Sequence, residues 1–135
     1  MERFDGTNII AVGTLSSIGQ VYISSNSGVT WTSVAIEVGV TSVYGLSLAS
    51  STVGMIAGNN GYVAKTSDGG STWTTLSTAV YGVSSSSYET SLRNIYMIDT
   101  NNAFLVGCLT INSVRTCTLY STEDFGVSWS IKQVD

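Results

Sequence analysis

Short apolar runs dominate the chain. Stretches such as NIIAVG, QVYIS, VTWTSVAI and VGMIAG are rich in Val, Ile, Thr, Tyr and Trp, and Gly, Asn and Ser punctuate them every eight to twelve residues. β-Branched and aromatic residues alternating with turn formers predict short strands joined by tight turns. No stretch shows the 3.6-residue periodicity of an amphipathic helix. This pattern alone fits any β-sandwich, so the fold has to be read from longer-range order.

That order is repetition. Three octapeptides, SSNSGVTW (24–31), TSDGGSTW (66–73) and TEDFGVSW (122–129), share the form Ser/Thr-x-Asp/Asn-x-Gly-x-Ser/Thr-Trp. Upstream, VYGLSLASSTVGMIAG (43–58) aligns without a gap over sixteen positions with LRNIYMIDTNNAFLVG (92–107), at an offset of 49. Leu46 falls on Ile95, Leu48 on Met97, and Ile56-Ala57-Gly58 on Leu105-Val106-Gly107. The first copy keeps the end of this segment as FDGTNIIAVG (4–13). The repeating unit is strand, turn, strand ending in Gly, short loop, strand, octapeptide, strand. Units cover about 1–40, 41–80 and 90–135 of a single domain, 1–135. The Trp spacing is 42 and then 56 residues. The fourteen extra residues divide into seven within STAVYGVSSSSYET (77–90) and seven that lengthen the hairpin after Gly107.

Composition narrows the function. Ser and Thr make up 39 of 135 residues, charged residues only 10%, and the formal net charge is −4. The five basic residues, Arg3, Lys65, Arg93, Arg115 and Lys132, are scattered, so no basic stripe exists for nucleic acid. No apolar run approaches the roughly 18 residues of a membrane span. The N-terminal MERFDGTN lacks the apolar core of a signal peptide. The Ser/Thr-rich, weakly charged texture is nevertheless that of an extracytoplasmic chain, secreted, periplasmic or in an organelle lumen. Either a signal has been removed or this is a piece of something longer.

The octapeptide resembles the Asp-box, or bacterial neuraminidase repeat, of β-propellers such as sialidases, sortilin-type receptors and some xyloglucan-degrading enzymes. The longer pattern ending in IAGNNGYVAKTSDGGSTW (56–73) is similar to the repeats of photosystem II assembly and stability factors and their bacterial relatives. The resemblance covers nearly the whole chain. It implies an all-β fold of about three four-stranded antiparallel propeller blades, with Asp-box turns between the third and fourth strands. Expected strands are about 8–14, 19–25 and 29–37 in the first unit and 41–50, 53–58, 62–67 and 71–77 in the second. In the third they are about 90–98, 102–109, 116–122 and 127–134. The innermost strand of the first blade is represented by at most MERF, which leaves that blade incomplete.

In such a turn Asp68 accepts hydrogen bonds from nearby backbone N–H groups. Gly70 takes positive φ, Thr72 offers a hydroxyl, and Trp73 begins the outer strand as a large apolar plate. Asn26, Gly28, Thr30 and Trp31 occupy these positions in the first unit, and Asp124, Gly126, Ser128 and Trp129 in the third. Asn26 can act as acceptor without the charge. Calcium binding by Asp68 and Asp124 is the alternative, but each octapeptide supplies one carboxylate where a calcium loop needs several oxygens. The turns are therefore read as structural, with no metal and no cofactor.

Cys108 and Cys117 flank LTINSVRT. A two-residue turn at Asn112-Ser113 places them on a non-hydrogen-bonded pair, where a disulfide forms within ordinary Cα distances. Carrying over the register of GNNG (58–61) instead sets Cys108 opposite Thr116. The disulfide is favoured over two buried thiols. No Asn-x-Ser/Thr sequon is present.

Catalysis finds little support. Sialidase-type propellers use an arginine cluster, a Tyr–Glu pair and an Asp, whereas here Arg93 and Arg115, the internal arginines, lie in one unit. Asp99, Glu123 and Asp124 are available as carboxylates for glycoside hydrolysis, but Asp124 is committed to its turn, and no His is present. The chain is thus expected not to be an enzyme but a structural or protein-interaction module, a scaffold in a larger assembly. The resemblance implies protein partners, though the arginine-rich patch of the photosystem factors has no counterpart here. The alternatives are a glycan-binding or adhesion module, with Tyr44, Tyr62, Tyr81, Tyr88 and Tyr96 as stacking faces, or a piece of a larger Asp-box glycoside hydrolase. A closed propeller takes roughly four to eight blades, so three leave a sheet face exposed at each end. A longer propeller, association of copies (two chains giving about six blades) or partner proteins would cover them.

Overall fold

A computed structural model describes residues 1–3, 6–76 and 89–132. It is all-β, with twelve strands in three four-stranded antiparallel sheets among the described residues. The first sheet holds β1 (Glu2–Arg3), β2 (Ile9–Leu15), β3 (Ile18–Ser24) and β4 (Thr32–Val34). The second holds β5 (Val43–Leu48), β6 (Gly54–Gly58), β7 (Val63–Thr66) and β8 (Thr74–Leu76). The third holds β9 (Glu89–Met97), β10 (Ala103–Ile111), β11 (Val114–Thr122) and β12 (Ser130–Lys132). Within each sheet the strands neighbour one another in chain order. These are three blades of a partial β-propeller. The innermost strand of the first blade is the two-residue β1, paired Glu2↔Ile10 and Arg3↔Ile9.

The chain buries its apolar residues between blades. Because side chains alternate across a strand, both faces of the middle blade are used. Ile56 and Ala64 look back to Ile10 and Val21 of the first blade, joined by Val43, Leu46 and Tyr62. Met55, Ala57 and Val63 look forward to Leu92, Ile95, Met97, Ala103, Leu105 and Tyr120 of the third. Full burial of a side chain such as Ile10, Met55, Ile56 or Leu105 contributes about 1.5–3 kcal/mol. The polar seam is closed as well: the buried Ser47 hydroxyl accepts the Met97 N–H at 3.0 Å across the blade boundary.

The hairpins between second and third strands explain the register of the cysteines. Ser16-Ser17, Asn60-Gly61 and Asn112-Ser113 all have positive φ, as two-residue hairpin turns of the right twist require. In the second blade, Tyr62 accepts the Gly58 N–H and donates its own N–H to Asn59. Gly58 and Asn59 together oppose Tyr62, a one-residue bulge. The third hairpin has no such bulge and pairs regularly from Ile111↔Val114 to Ala103↔Thr122. Cys108 therefore lies opposite Cys117, as the turn count expects, and the Thr116 pairing copied from GNNG fails because the bulge is not repeated. The residues added after Gly107 are strand, not loop: the ladder itself is longer. The other insertion, at 77–90, lies for residues 77–88 outside the described residues.

Candidate functional site: the octapeptide turns and the blade ends

Each octapeptide closes the turn between third and fourth strands with one repeated network. Asp68 Oδ1 accepts the Thr66 hydroxyl at 2.8 Å and the Thr72 N–H at 2.9 Å, while Oδ2 accepts the Thr72 hydroxyl at 2.5 Å. Asp124 takes the same bonds from Thr122 (2.7 Å), the Ser128 N–H (2.9 Å) and the Ser128 hydroxyl (2.6 Å). Asn26 Oδ1 accepts the Ser24 hydroxyl at 3.0 Å and the Thr30 N–H at 2.9 Å, and its amide donates to Thr30 Oγ1 at 2.8 Å. The amide reverses the direction of the last bond and otherwise reproduces the carboxylate. Hydroxyl donation, from Thr72 and Ser128 respectively, leads the causes that hold the Asp68 and Asp124 carboxyls down at about 2, against an ordinary 3.8.

The first position of the motif has a role to which sequence reasoning assigned no residue. Ser24, Thr66 and Thr122 are buried, and their oxygens accept the N–H of Gly28, Gly70 and Gly126 at 2.9, 3.0 and 2.9 Å. The buried donor of the turn is thus the glycine amide, and its acceptor is the hydroxyl, not the exposed aspartate. The signal was the invariance of Ser/Thr at that position in all three copies.

The fourth and fifth positions are both left-handed: Ser27, Gly69 and Phe125 have φ of 60°, 71° and 55°, and Gly28, Gly70 and Gly126 of 86°, 87° and 79°. A glycine at the fifth position also makes room. A Cβ on Gly70 would lie 2.6 Å from Ile10 Cδ1, and one on Gly126 2.7 Å from Met55 Cε and 2.5 Å from Leu76 Cδ1. In both cases the intruding side chain belongs to the preceding blade. At Gly28 the nearest atoms are Trp31 Cζ2 at 3.5 Å and Ile9 Cδ1 at 3.8 Å, both of its own blade.

The tryptophans divide in the same way. Their indole N–H groups donate back to Gly28 O (3.0 Å) and Gly70 O (3.1 Å) for Trp31 and Trp73. Trp73 packs on the core between blades one and two, and Trp129 on that between two and three. Trp31 is 41% exposed. Each Trp precedes its outer strand by one residue, since β4, β8 and β12 begin at Thr32, Thr74 and Ser130. Among the described residues no blade lies behind Trp31, and unlike Trp73 and Trp129 it joins neither core.

On the opposite end, Phe104 pairs with Tyr96 and Ser121, and Val106 with Asn94 and Leu119. This face of the third blade looks away from the core, with Tyr96, Phe104 and Val106 66%, 37% and 41% exposed.

The remaining candidates are placed as follows. Cys108 and Cys117 are disulfide-bonded, with Cα atoms 4.0 Å apart. Asp99 accepts the Asn101 and Asn102 N–H groups, each at 2.8 Å, and its carboxyl is held below the usual range, the Asn101 bond leading. Glu123 is exposed. Arg93 and Arg115 do not cluster: the Arg93 guanidinium lies over the Tyr44 ring, 4.9 Å from its centroid, and Arg115 sits opposite Thr110 on the long hairpin. Tyr44 and Arg93 are the residues skipped by bulges in the two inner strands. The offset of 49 that superposes them was the signal for their contact. Tyr62 is buried, not exposed after its turn, and its hydroxyl meets no partner in hydrogen-bonding geometry. Burial raises its pKa, partly offset by the nearby Thr75 and Glu37 backbone. Tyr81 and Tyr88 lie outside the described residues. Among the described residues no three His, Cys, Asp or Glu side chains gather where a metal ion could be shared, and no helix is long and apolar enough to cross a membrane.

No protein-family model matches the chain, and no curated protein matches it. Among solved structures it is similar to one described as YCF48 bound to D1 peptide, with a TM-score of 0.69 and 19% sequence identity, over 95% of this chain and 36% of that one. At that identity the likeness is one of fold. The chain spans about a third of the length of the structure it matches.

Proposed function

We propose that the chain is a non-catalytic propeller module whose work is protein interaction, either within a longer propeller or as a scaffold subunit of a larger assembly. The observation that carries this reading is the pair of unsatisfied blade ends: a turn built to receive a side chain at Gly28, and an apolar sheet face around Phe104 and Val106. The similar YCF48 structure holds a peptide, which supports a protein partner. Against an active site stand the carboxylates of Asp68, Asp99 and Asp124, each engaged by its own turn. The glycan reading loses Tyr62 to the core and leaves Tyr44 stacked beneath Arg93.

The disulfide favours an oxidising, extracytoplasmic compartment. Mass spectrometry of alkylated, unreduced protein from its native source should show Cys108 and Cys117 unmodified and linked; full alkylation of both would argue for a reducing compartment. Function is tested by cross-linking in native extract beside a glycan array. Reproducible cross-links from the blade ends to protein, with a silent array, are expected. Sugar binding abolished by Tyr96→Ala would overturn the proposal.

A further inference from the structure

The two open ends fit one another by the repeat's own geometry. In both covered turns, a residue of β2 or β6 in the preceding blade reaches the space left by the missing Cβ: Ile10 under Gly70 and Met55 under Gly126. Aligning NIIAVG (8–13) and VGMIAG (53–58) with the segment ending at Gly107 puts Phe104 at the position of Ile10 and Met55. Phe104 is therefore the plug of the third blade, and it projects from the open face with Tyr96 beside it. The matching socket is at the other end. Gly28 is only half-buried, Trp31 lies open beside it, and Ala11 and Tyr22 pair on the outward face of the first blade.

We propose that two copies of this chain associate head to tail, Phe104 of each entering the Gly28–Trp31 socket of the other. The contact made at Gly70 and at Gly126 inside each copy is then repeated between the copies. A ring of roughly four to eight blades closes; three fall short and two sets of three do not. A head-to-tail contact whose rotation closes gives a finite ring and not a filament. The occupant is a second copy because plug and socket are the two halves of the contact already made twice inside the chain, at Gly70 and at Gly126. The proposal rests on reading the chain as an interaction module with uncovered ends.

The test is light scattering and sedimentation of the full chain at micromolar concentration. The expected species is a dimer of the 14.2 kDa chain. Phe104→Glu spoils the plug and Tyr22→Glu the socket face; each variant alone should be monomeric with an unchanged far-ultraviolet spectrum. Loss of a central aromatic contact weakens binding roughly thirtyfold or more, and the closed dimer loses two. Mixing the variants should restore a dimer, since one intact plug then meets one intact socket. That rescue also shows that both variants are folded. A monomeric wild-type chain overturns the pairing while leaving the interaction-module reading to the cross-linking experiment. A dimer that survives both substitutions, or a mixture that stays monomeric, overturns it as well.

Discussion

The first and second blades leave their third strands through the same eight-residue turn. In both, the hydroxyl at position one takes the glycine amide, and the side chain at position three takes the hydroxyl and amide around it, with N–H bonds within about a tenth of an ångström of each other. Yet Gly70 is buried and Trp73 is drawn onto a core, whereas Gly28 is half-exposed and Trp31 lies open. The neighbour of the glycine differs: Ile10 of the preceding blade stands against Gly70, Ile9 and Trp31 of its own blade against Gly28. The polar half of the motif is complete within one hairpin; its apolar half is completed by the preceding blade. The octapeptide thus combines a local turn with a keyed contact, and the first blade displays the turn without the key.

Adding a methyl group separates the two halves most sharply. Gly70→Ala must hold an L-residue at φ 87° and displace Ile10. The left-handed conformation costs about 1–2 kcal/mol and overpacking about 1–3 more, a loss of about 2–5 kcal/mol in denaturant unfolding. Gly28→Ala should lose about 1–2 kcal/mol, since nothing stands in its way. The comparison is made at a concentration where the chain is monomeric, and equal losses would mean that the preceding blade is irrelevant to the turn. Next in size is the tryptophan pair. Trp73→Ala removes an aromatic from a core and should cost about 2–4 kcal/mol, against about 1 kcal/mol for Trp31→Ala under the same dilution. Equal values would remove the distinction between covered and open ends.

Smaller effects test the polar half. Thr66→Val leaves the buried Gly70 N–H without its acceptor and should cost about 1–3 kcal/mol; Asp68→Ala, on the exposed side of the turn, should cost about 0.5–1.5 kcal/mol. The reverse order would return the central role to the carboxylate. Smallest is the pH response. The Asp68 and Asp124 carboxyls are lowered on folding, so the stabilisation they give is present above their ordinary 3.8 and is lost as pH falls through about 2. Asn26 carries no such group. Between about pH 4 and about pH 2, the Thr72 and Ser128 amide resonances should shift and that of Thr30 should not. Asn26→Asp should transfer the shift to Thr30, with little change in stability at neutral pH.

Much of this is legible in the sequence. Repetition places eleven of the twelve strands to within a few residues, because Gly58, Gly107 and the octapeptides recur at fixed places in a local pattern; β1 has no full counterpart in the repeat beyond MERF. The acceptor role of position three follows equally from side-chain chemistry at a turn. What escaped depends on neighbours. That Thr66 and not Asp68 serves the buried donor is decided by burial, which a list of hydroxyls does not convey. The bulge at Gly58 and Asn59 is a property of one hairpin, so its register could not be carried to Cys108. Phe125 sits in the left-handed region with Lys65 4.4 Å above its ring, a contact between residues sixty positions apart. No local spacing announces such a pairing.

The contact at the octapeptide glycines also has a direction in time. Gly70 is completed by Ile10 and Gly126 by Met55, so each turn is finished by a segment that left the ribosome before it. A chain emerging at about 5–20 residues per second presents every new blade with a surface already formed. Folding can then advance from the N-terminus like a zip, each unit templated by the last. The second and third blades are the ones finished in this way, at Gly70 and at Gly126.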